Sequence, residues 1–292
     1  MACPICNSNK KDFTIRVRDF EYNIKYYAQY AQCSFCNSLY RNKPKKINRN
    51  LSKILYSSKN YLPIKGNHIY DFLKILLAKY EKSIILSKLN GTFLNKKKTI
   101  LDIACGKGYL VKEFSSNKIF NCYGIDVNVA TKNVSNIEFI KSSYKNTTLI
   151  KKVRADLIII NNFIEHIDDL NIIKKIIAKM KKGSSLVILT PDGNSNGKKY
   201  FSEYWSGYHS PRHKTIFNYK SIKFFLKNNN KIKTTHFKIY DPFTNLISIV
   251  NAIKYGCIKL NIFEILRALT FIPFIFVDIF NKNRIFTLVK KI

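Results

Sequence analysis

Thr99–Val111 reads TILDIACGKGYLV, and its reading decides the fold. The first half, Thr99–Ala104, is apolar and β-branched, the pattern of a strand buried on both faces. Gly106-Lys107-Gly108 breaks the run, and Tyr109–Phe114 can start a helix. Strand, glycine turn and helix together open a nucleotide-binding α/β unit. Glycines suit such a turn because they tolerate unusual φ/ψ and let a ligand approach the backbone. An ordinary βα turn would look similar, and the next strand separates the two. Asn121–Ile125 is a second apolar run ending in Asp126, where an acid can bind both hydroxyls of a ribose.

The details argue against a dinucleotide fingerprint, G-x-G-x-x-G, because Val111 occupies the place of its third glycine. The first small residue falls earlier, at Ala104, giving A-C-G-K-G after Asp102. This resembles the first motif of class I S-adenosylmethionine-dependent methyltransferases, an acid followed by G-x-G-x-G. The resemblance implies an α/β fold with a Rossmann-like seven-stranded core and S-adenosyl-L-methionine as cofactor. It places Asp102 at the cofactor's methionine end, with Ala104, Gly106 and Gly108 against it. Asp126 then belongs with the ribose and Ser143 with the adenine (where relatives often carry an acid), and Val127 and Asn161 join the cofactor-binding set. Alanine lacks the φ > 0 freedom of glycine, so ordinary backbone geometry is expected at residue 104.

The chain has 292 residues, enough for one main domain with appendages. Lys and Arg number 51 against 18 Asp and Glu, a formal charge of +33. Such a balance suits nucleic acid or an anionic membrane surface. The lysines are scattered, however, among abundant Asn, Ile, Phe and Tyr, which argues against a dedicated nucleic-acid stripe. The opening MACPICNSNK has no apolar signal core. No stretch reaches the roughly 18 apolar residues of a spanning helix. A cytoplasmic setting without disulfides is the expectation.

Cys3-Pro-Ile-Cys6 and Cys33-Ser-Phe-Cys36 are two CxxC knuckles with 26 residues between them. Four thiolates so paired suit a tetrahedral structural zinc, with no position left for a metal-bound water. Phe13–Val17 and Ile24–Tyr30 read as short strands between them, so residues 1–45 are expected as a separate zinc ribbon. Residues 46–95 read as a helical linker. Within it, residues 67–90 carry Ile69, Phe72, Leu73, Leu76, Leu77, Tyr80, Ile84 and Ile85 at helical spacing, closed by Asn90-Gly91. Tyr61 and His68 lie where they could line a cofactor pocket beside that helix, but both read as structural residues.

Ile137–Lys141 is the third core strand and Asp156–Ile160 the fourth, delivering Asn161–Asp169 to the carboxyl edge of the sheet. Ligands of open α/β folds sit at that edge. His166 there is a candidate base, because an unperturbed imidazole titrates near neutrality. Asn171–Lys182 is an amphipathic helix and Ser184–Thr190 the fifth strand. The loop beyond it holds Tyr204, the only Trp (Trp205), His209, Arg212 and His213. Aromatics with a cation and two imidazoles can clamp a polar ring such as a sugar, with Arg212 suited to a phosphate or carboxylate. Glu165, Tyr204, Trp205 and Arg212 are therefore the expected substrate contacts, and His166, His209 and His213 the catalytic candidates.

The run Thr190-Pro191-Asp192, Tyr204-Trp205 and Pro211-Arg212-His213 resembles a bacterial methyltransferase subfamily with an N-terminal four-cysteine ribbon. That resemblance covers residues 1–240 and implies surface-polysaccharide or nucleotide-sugar pathways. Some other relatives with E-H after the fourth strand use a metal and carry an acid three residues before the Glu, where this chain has Asn162. Ser221–Lys227 reads as a short helix, Lys231–Tyr240 as the sixth strand and Arg284–Val289 as an antiparallel seventh. The core is then 96–241 with 284–292, and 242–283 an apolar helical insertion that covers the pocket, forms a dimer face or touches the inner membrane surface. The expected activity is methyl transfer to a small molecule, a sugar or polysaccharide precursor. The alternatives are an RNA methyltransferase and a non-catalytic scaffold with a degenerate pocket.

Overall fold

The computed structural model describes residues 1–20, 26–42, 55, 68–89, 91–129, 136–227, 229–256 and 272–292. The expected linker helix within 46–66, Tyr61, the side chain of His68, Asn90 and the middle of the apolar insertion lie outside the described residues.

Three strands come first: β1 (Lys11–Arg18), β2 (Tyr27–Cys33) and β3 (Leu39–Arg41). The helix α1 (His68–Lys88) leads to β4 (Lys98–Ile103), α2 (Tyr109–Ser115), β5 (Phe120–Asp126) and β6 (Ile137–Lys141). Then follow α3 (Thr148–Val153), β7 (Leu157–Asn161), α4 (Asn171–Lys179), β8 (Ser185–Pro191) and α5 (Asn196–Phe201). The chain closes with β9 (Thr215–Ile216), α6 (Tyr219–Leu226), β10 (Ile232–Ile239), α7 (Pro242–Gly256) and β11 (Arg284–Lys291).

Seven strands form the main sheet in the order β10-β11-β8-β7-β4-β5-β6. β4, β5, β6, β7 and β8 pair in parallel, whereas β11 lies antiparallel between β10 and β8, as expected of the last strand. Alternate residues of the buried strands feed two apolar layers. Ile158 and Ile160 of β7 pack with Ile173, Ile176 and Ile177 of α4 on one face. Leu157 and Ile159 pack with Ile85 of α1 and Val111 and Phe114 of α2 on the other. Strand order reverses between β4 and β7, so the ligand crevice of this topology lies beyond their carboxyl ends.

The N-terminal ribbon does not close on itself. Its sheet runs β1-β2-β3-β9, so the strand that follows Pro211-Arg212-His213 completes it. The Arg41 guanidinium donates to the Pro211 carbonyl at 3.2 Å, and the Tyr30 hydroxyl donates to that of His213 at 2.7 Å. The ribbon thus braces the loop from which two of the candidate histidines project. β3 has only three residues and β9 two, too short for a period to show in the sequence.

Among the described residues, no helix is long and apolar enough to cross a membrane.

Candidate functional site

The glycine turn after β4 departs from expectation in its backbone. Ala104 has φ 59°, Gly106 57° and Gly108 73°, all left-handed. The expectation of ordinary geometry at Ala104 is therefore wrong, and alanine bears a backbone cost there that glycine would not. The Gly106 N–H donates to Asp126 Oδ2 at 3.0 Å, and the Asn128 N–H to Asp126 Oδ1 at 2.8 Å. The acid at the tip of β5 thus pins the turn to its neighbouring strand. At Gly108 a Cβ would lie 2.6 Å from the Phe139 ring, so the turn also needs glycine for space.

A cavity of about 110 Å3 opens beside this turn, bordered by Asp102, Ala104, Cys105 and Asn161 among others. Burial, with Glu81 and Asp126 nearby, pushes the Asp102 carboxyl well above the usual carboxylate range. Val127 is half exposed at the strand tip, and the Ser143 hydroxyl accepts from the Lys145 N–H at 3.2 Å. Neither borders the cavity.

Two residues the sequence did not single out organise this wall. Arg284, at the start of β11, is buried, and its guanidinium donates to Glu81 Oε1 of α1 and to the side-chain oxygens of Asn161 and Asn162. The Asn161 amide in turn donates to Glu81 Oε2 at 2.8 Å. Their spacing of some 200 positions hides the pair from sequence reasoning; the only signal is an acid among the inward positions of an amphipathic helix.

A second cavity, of about 590 Å3, adjoins the first. Lys74, Leu77 and Asn162 border both. One wall is α7, presenting Phe243, Leu246, Ile247 and Val250. This helix is held by hydrogen bonds to the loop opposite. The Ser206 hydroxyl donates to the Thr244 carbonyl at 2.7 Å, and the Asn251 amide to that of Tyr204 at 3.2 Å.

The other wall holds Glu165, His166, His209 and His213 together. Ring centroids are 4.6 Å apart for His166 and His213, 5.0 Å for His209 and His213, and 5.7 Å for His166 and His209. Burial and His209 hold His166 well below the ordinary imidazole range, and burial and His166 do the same to His213. His166 is therefore a weaker base than its type alone suggests. Glu165 is fully buried; its Oε2 accepts from the Thr190 hydroxyl at 2.9 Å, and burial pushes its carboxyl up to about 7.

Three expected substrate contacts do not reach this cavity. Trp205 is buried edge-on against Tyr208 in the cluster under the ribbon. Tyr204 packs on Phe20 with centroids 4.9 Å apart. Arg212 is fully buried, lies 3.5 Å from Asp19 Oδ2 and donates to the Leu55 carbonyl. Its charge is spent holding the loop together, and it offers no fork to a ligand phosphate.

At the ribbon tip, Cys3, Cys6, Cys33 and Cys36 place their sulfurs within 4.8 Å of one another. Cys3 and Cys36 sulfurs are 3.6 Å apart and those of Cys6 and Cys33 3.4 Å. Zn–S bonds of about 2.3 Å in a tetrahedron require sulfurs about 3.8 Å apart, so the cluster fits that ion. Each knuckle turns through an Asn at φ 59°, Asn7 and Asn37, one position past its second cysteine. Asn tolerates that conformation better than most residues.

A family model described as "Methyltransferase domain" matches residues 77–230. Among solved structures, the plantazolicin methyltransferase BpumL in complex with SAH is 16% identical, covers 82% of this chain and 94% of its own, and superposes with a TM-score of 0.52. A SAM-dependent methyltransferase from Archaeoglobus fulgidus is 19% identical over 77% of this chain and all of its own, with a TM-score of 0.47. No curated protein sequence matches.

Proposed function

The chain belongs to the methyltransferase domain family, and from that premise we propose that it moves the methyl group of S-adenosylmethionine onto a small-molecule acceptor held in the 590 Å3 cavity. The observation that carries this reading is the shared border of the two cavities. Asn162, Lys74 and Leu77 stand between the glycine turn and the histidine wall, where a methyl group would pass from one to the other. The Asp126 carboxylate supplies negative charge near a cationic cofactor, the buried Asp102 can do the same once the bound cofactor's ammonium draws off its proton, and the left-handed turn at Gly106 and Gly108 admits the cofactor close to the backbone.

The reaction is an in-line displacement. A nucleophilic atom of the acceptor attacks the methyl carbon, the carbon–sulfur bond breaks, and its electron pair stays on sulfur as the neutral thioether. The acceptor proton leaves to solvent or to a neighbouring base. The sulfonium is already activated, so the chain's contribution is alignment and exclusion of water.

Trp205 and Arg212 no longer support a sugar, because both are used inside the loop. The acceptor class rests on the cavity instead. Its histidine wall suits a polar end, and Phe243, Leu246, Ile247 and Val250 suit an apolar body. A sugar or polysaccharide precursor carried on an apolar group combines both. In the ribbon, zinc held by Cys3, Cys6, Cys33 and Cys36 would supply structure only, since all four positions are taken by protein sulfur.

The test is calorimetric titration of the full chain with S-adenosylhomocysteine, beside Asp126→Ala. Binding that the substitution weakens supports the reading; no binding by the wild type refutes it and favours a scaffold. Salt-sensitive binding of RNA tighter than that of any small acceptor would instead favour an RNA substrate.

A further inference from the structure

We propose that His166, His209 and His213 form a second metal centre, holding a divalent transition-metal ion with one coordination position open to the 590 Å3 cavity. One ligand atom from each lies within 4.8 Å of the other two. The rings stand almost mutually perpendicular, at 80°, 83° and 89°, which is the disposition of donors converging on a point rather than of stacked rings. Zn–N bonds of about 2.0–2.1 Å in a tetrahedron call for nitrogens about 3.3 Å apart, so each ring needs to move inward by only about 1 Å.

The surroundings orient the imidazoles as ligands are oriented elsewhere. His213 Nδ1 is 2.8 Å from the Gly207 carbonyl oxygen, so it carries the proton and Nε2 keeps a lone pair. His166 shares a hydrogen bond with the main chain of Arg212, which restrains its ring. Glu165 Oε1, fully buried and without a hydrogen-bond partner, lies 3.8 Å from His213 Nε2. That carboxylate is placed to balance the charge of a dication or to join its ligands. The two cations nearest the cluster are already neutralised, Arg212 beside Asp19 and Lys214 by Asp168.

Imidazole nitrogen with one carboxylate suits zinc, nickel, copper or iron, and is too poor in oxygen for magnesium or calcium. The centre also differs in kind from the ribbon tip, where four thiolates leave no open position. At the histidines the remaining position faces the acceptor cavity, where it would take an oxygen of the acceptor. That last role rests on the methyl-transfer reading; binding of the ion does not.

The test uses the full chain with its ribbon loaded with zinc, titrated with Co2+ alone. The proposal expects one cobalt per chain beyond the zinc, counted by elemental analysis, with ligand-field absorption and no thiolate-to-cobalt charge-transfer band. His209→Ala and His166→Gln, introduced separately, each weaken that cobalt site by about 10–100-fold or more while the ribbon keeps its zinc. No second metal, or a second metal that both variants bind as tightly as the wild type, overturns the proposal. S-adenosylhomocysteine binding measured on the same samples keeps the two readings apart: a chain that takes up cobalt at the histidines yet binds no cofactor loses the methyl-transfer reading and retains the metal centre.

Discussion

Arg284→Met would remove a buried guanidinium that ties its own strand to two other elements. In the native chain it donates to Glu81 of α1 and to Asn161 and Asn162 at the end of β7, while itself opening β11. Both members of the ion pair are almost wholly buried, at 2% and 3% side-chain exposure. The Glu81 carboxylate then loses its charged partner and keeps only the Asn161 amide at 2.8 Å. Breaking a buried pair in this way costs about 3–5 kcal/mol, because an uncompensated charge remains. In a chain of this size that corresponds to a fall in Tm of about 10 °C. Reversible urea unfolding followed by circular dichroism measures the free energy directly. The double variant Arg284→Met/Glu81→Leu should recover most of the loss, since packed apolar residues often match a buried pair in stability. The cofactor-side wall includes Glu81 and Asn161, so S-adenosylhomocysteine affinity should fall in the single variant too. A single variant within about 1 kcal/mol of wild type, or a double variant no better than the single, would refute the reasoning.

Gly108→Ala puts a Cβ at φ 73° and 2.6 Å from the Phe139 ring; the backbone alone costs about 1–2 kcal/mol, and weaker S-adenosylhomocysteine binding in calorimetry is the expected readout. Cys36→Ala, or chelation of the zinc proposed for the four cysteines, should loosen the loop that β9 and Tyr30 anchor, so amide exchange across 205–216 should quicken while the glycine turn stays protected. The Asp102 carboxyl holds its proton above the ordinary range through burial, Glu81 and Asp126. A cofactor ammonium beside it favours the carboxylate, so binding should release protons and tighten as pH rises toward the pKa that Asp102 has in the free protein. Titrations in two buffers of different ionisation enthalpy would show this as a difference in apparent heat; equal heats would remove Asp102 from the ligand's contacts.

The local chemistry of the chain determined the order of strands, turns and caps. A run such as DLIII carries the apolar pattern of a central strand in its own residues, and β7 appears one residue from its expected place. The CxxC spacing and the glycine turn are likewise short-range: each depends on residues a few positions apart, so both are legible without a fold. Tertiary structure decided what the polar residues do. Arg212 and Trp205 look like ligand contacts in the loop sequence, yet packing against Asp19, Leu55 and Tyr208 turns both inward. Ala104 adopts a left-handed conformation two residues before Gly106, whose N–H is tied to Asp126 of the neighbouring strand, 20 residues away. His166 meets His209 and His213 through tertiary contacts, as the Lys214 N–H donates to the Glu165 carbonyl at 2.7 Å and β9 pairs with the ribbon strand β3. A side chain's type is local, but its burial, its pKa and its neighbours are set by segments distant in the chain, and the chemistry of this site depends on those.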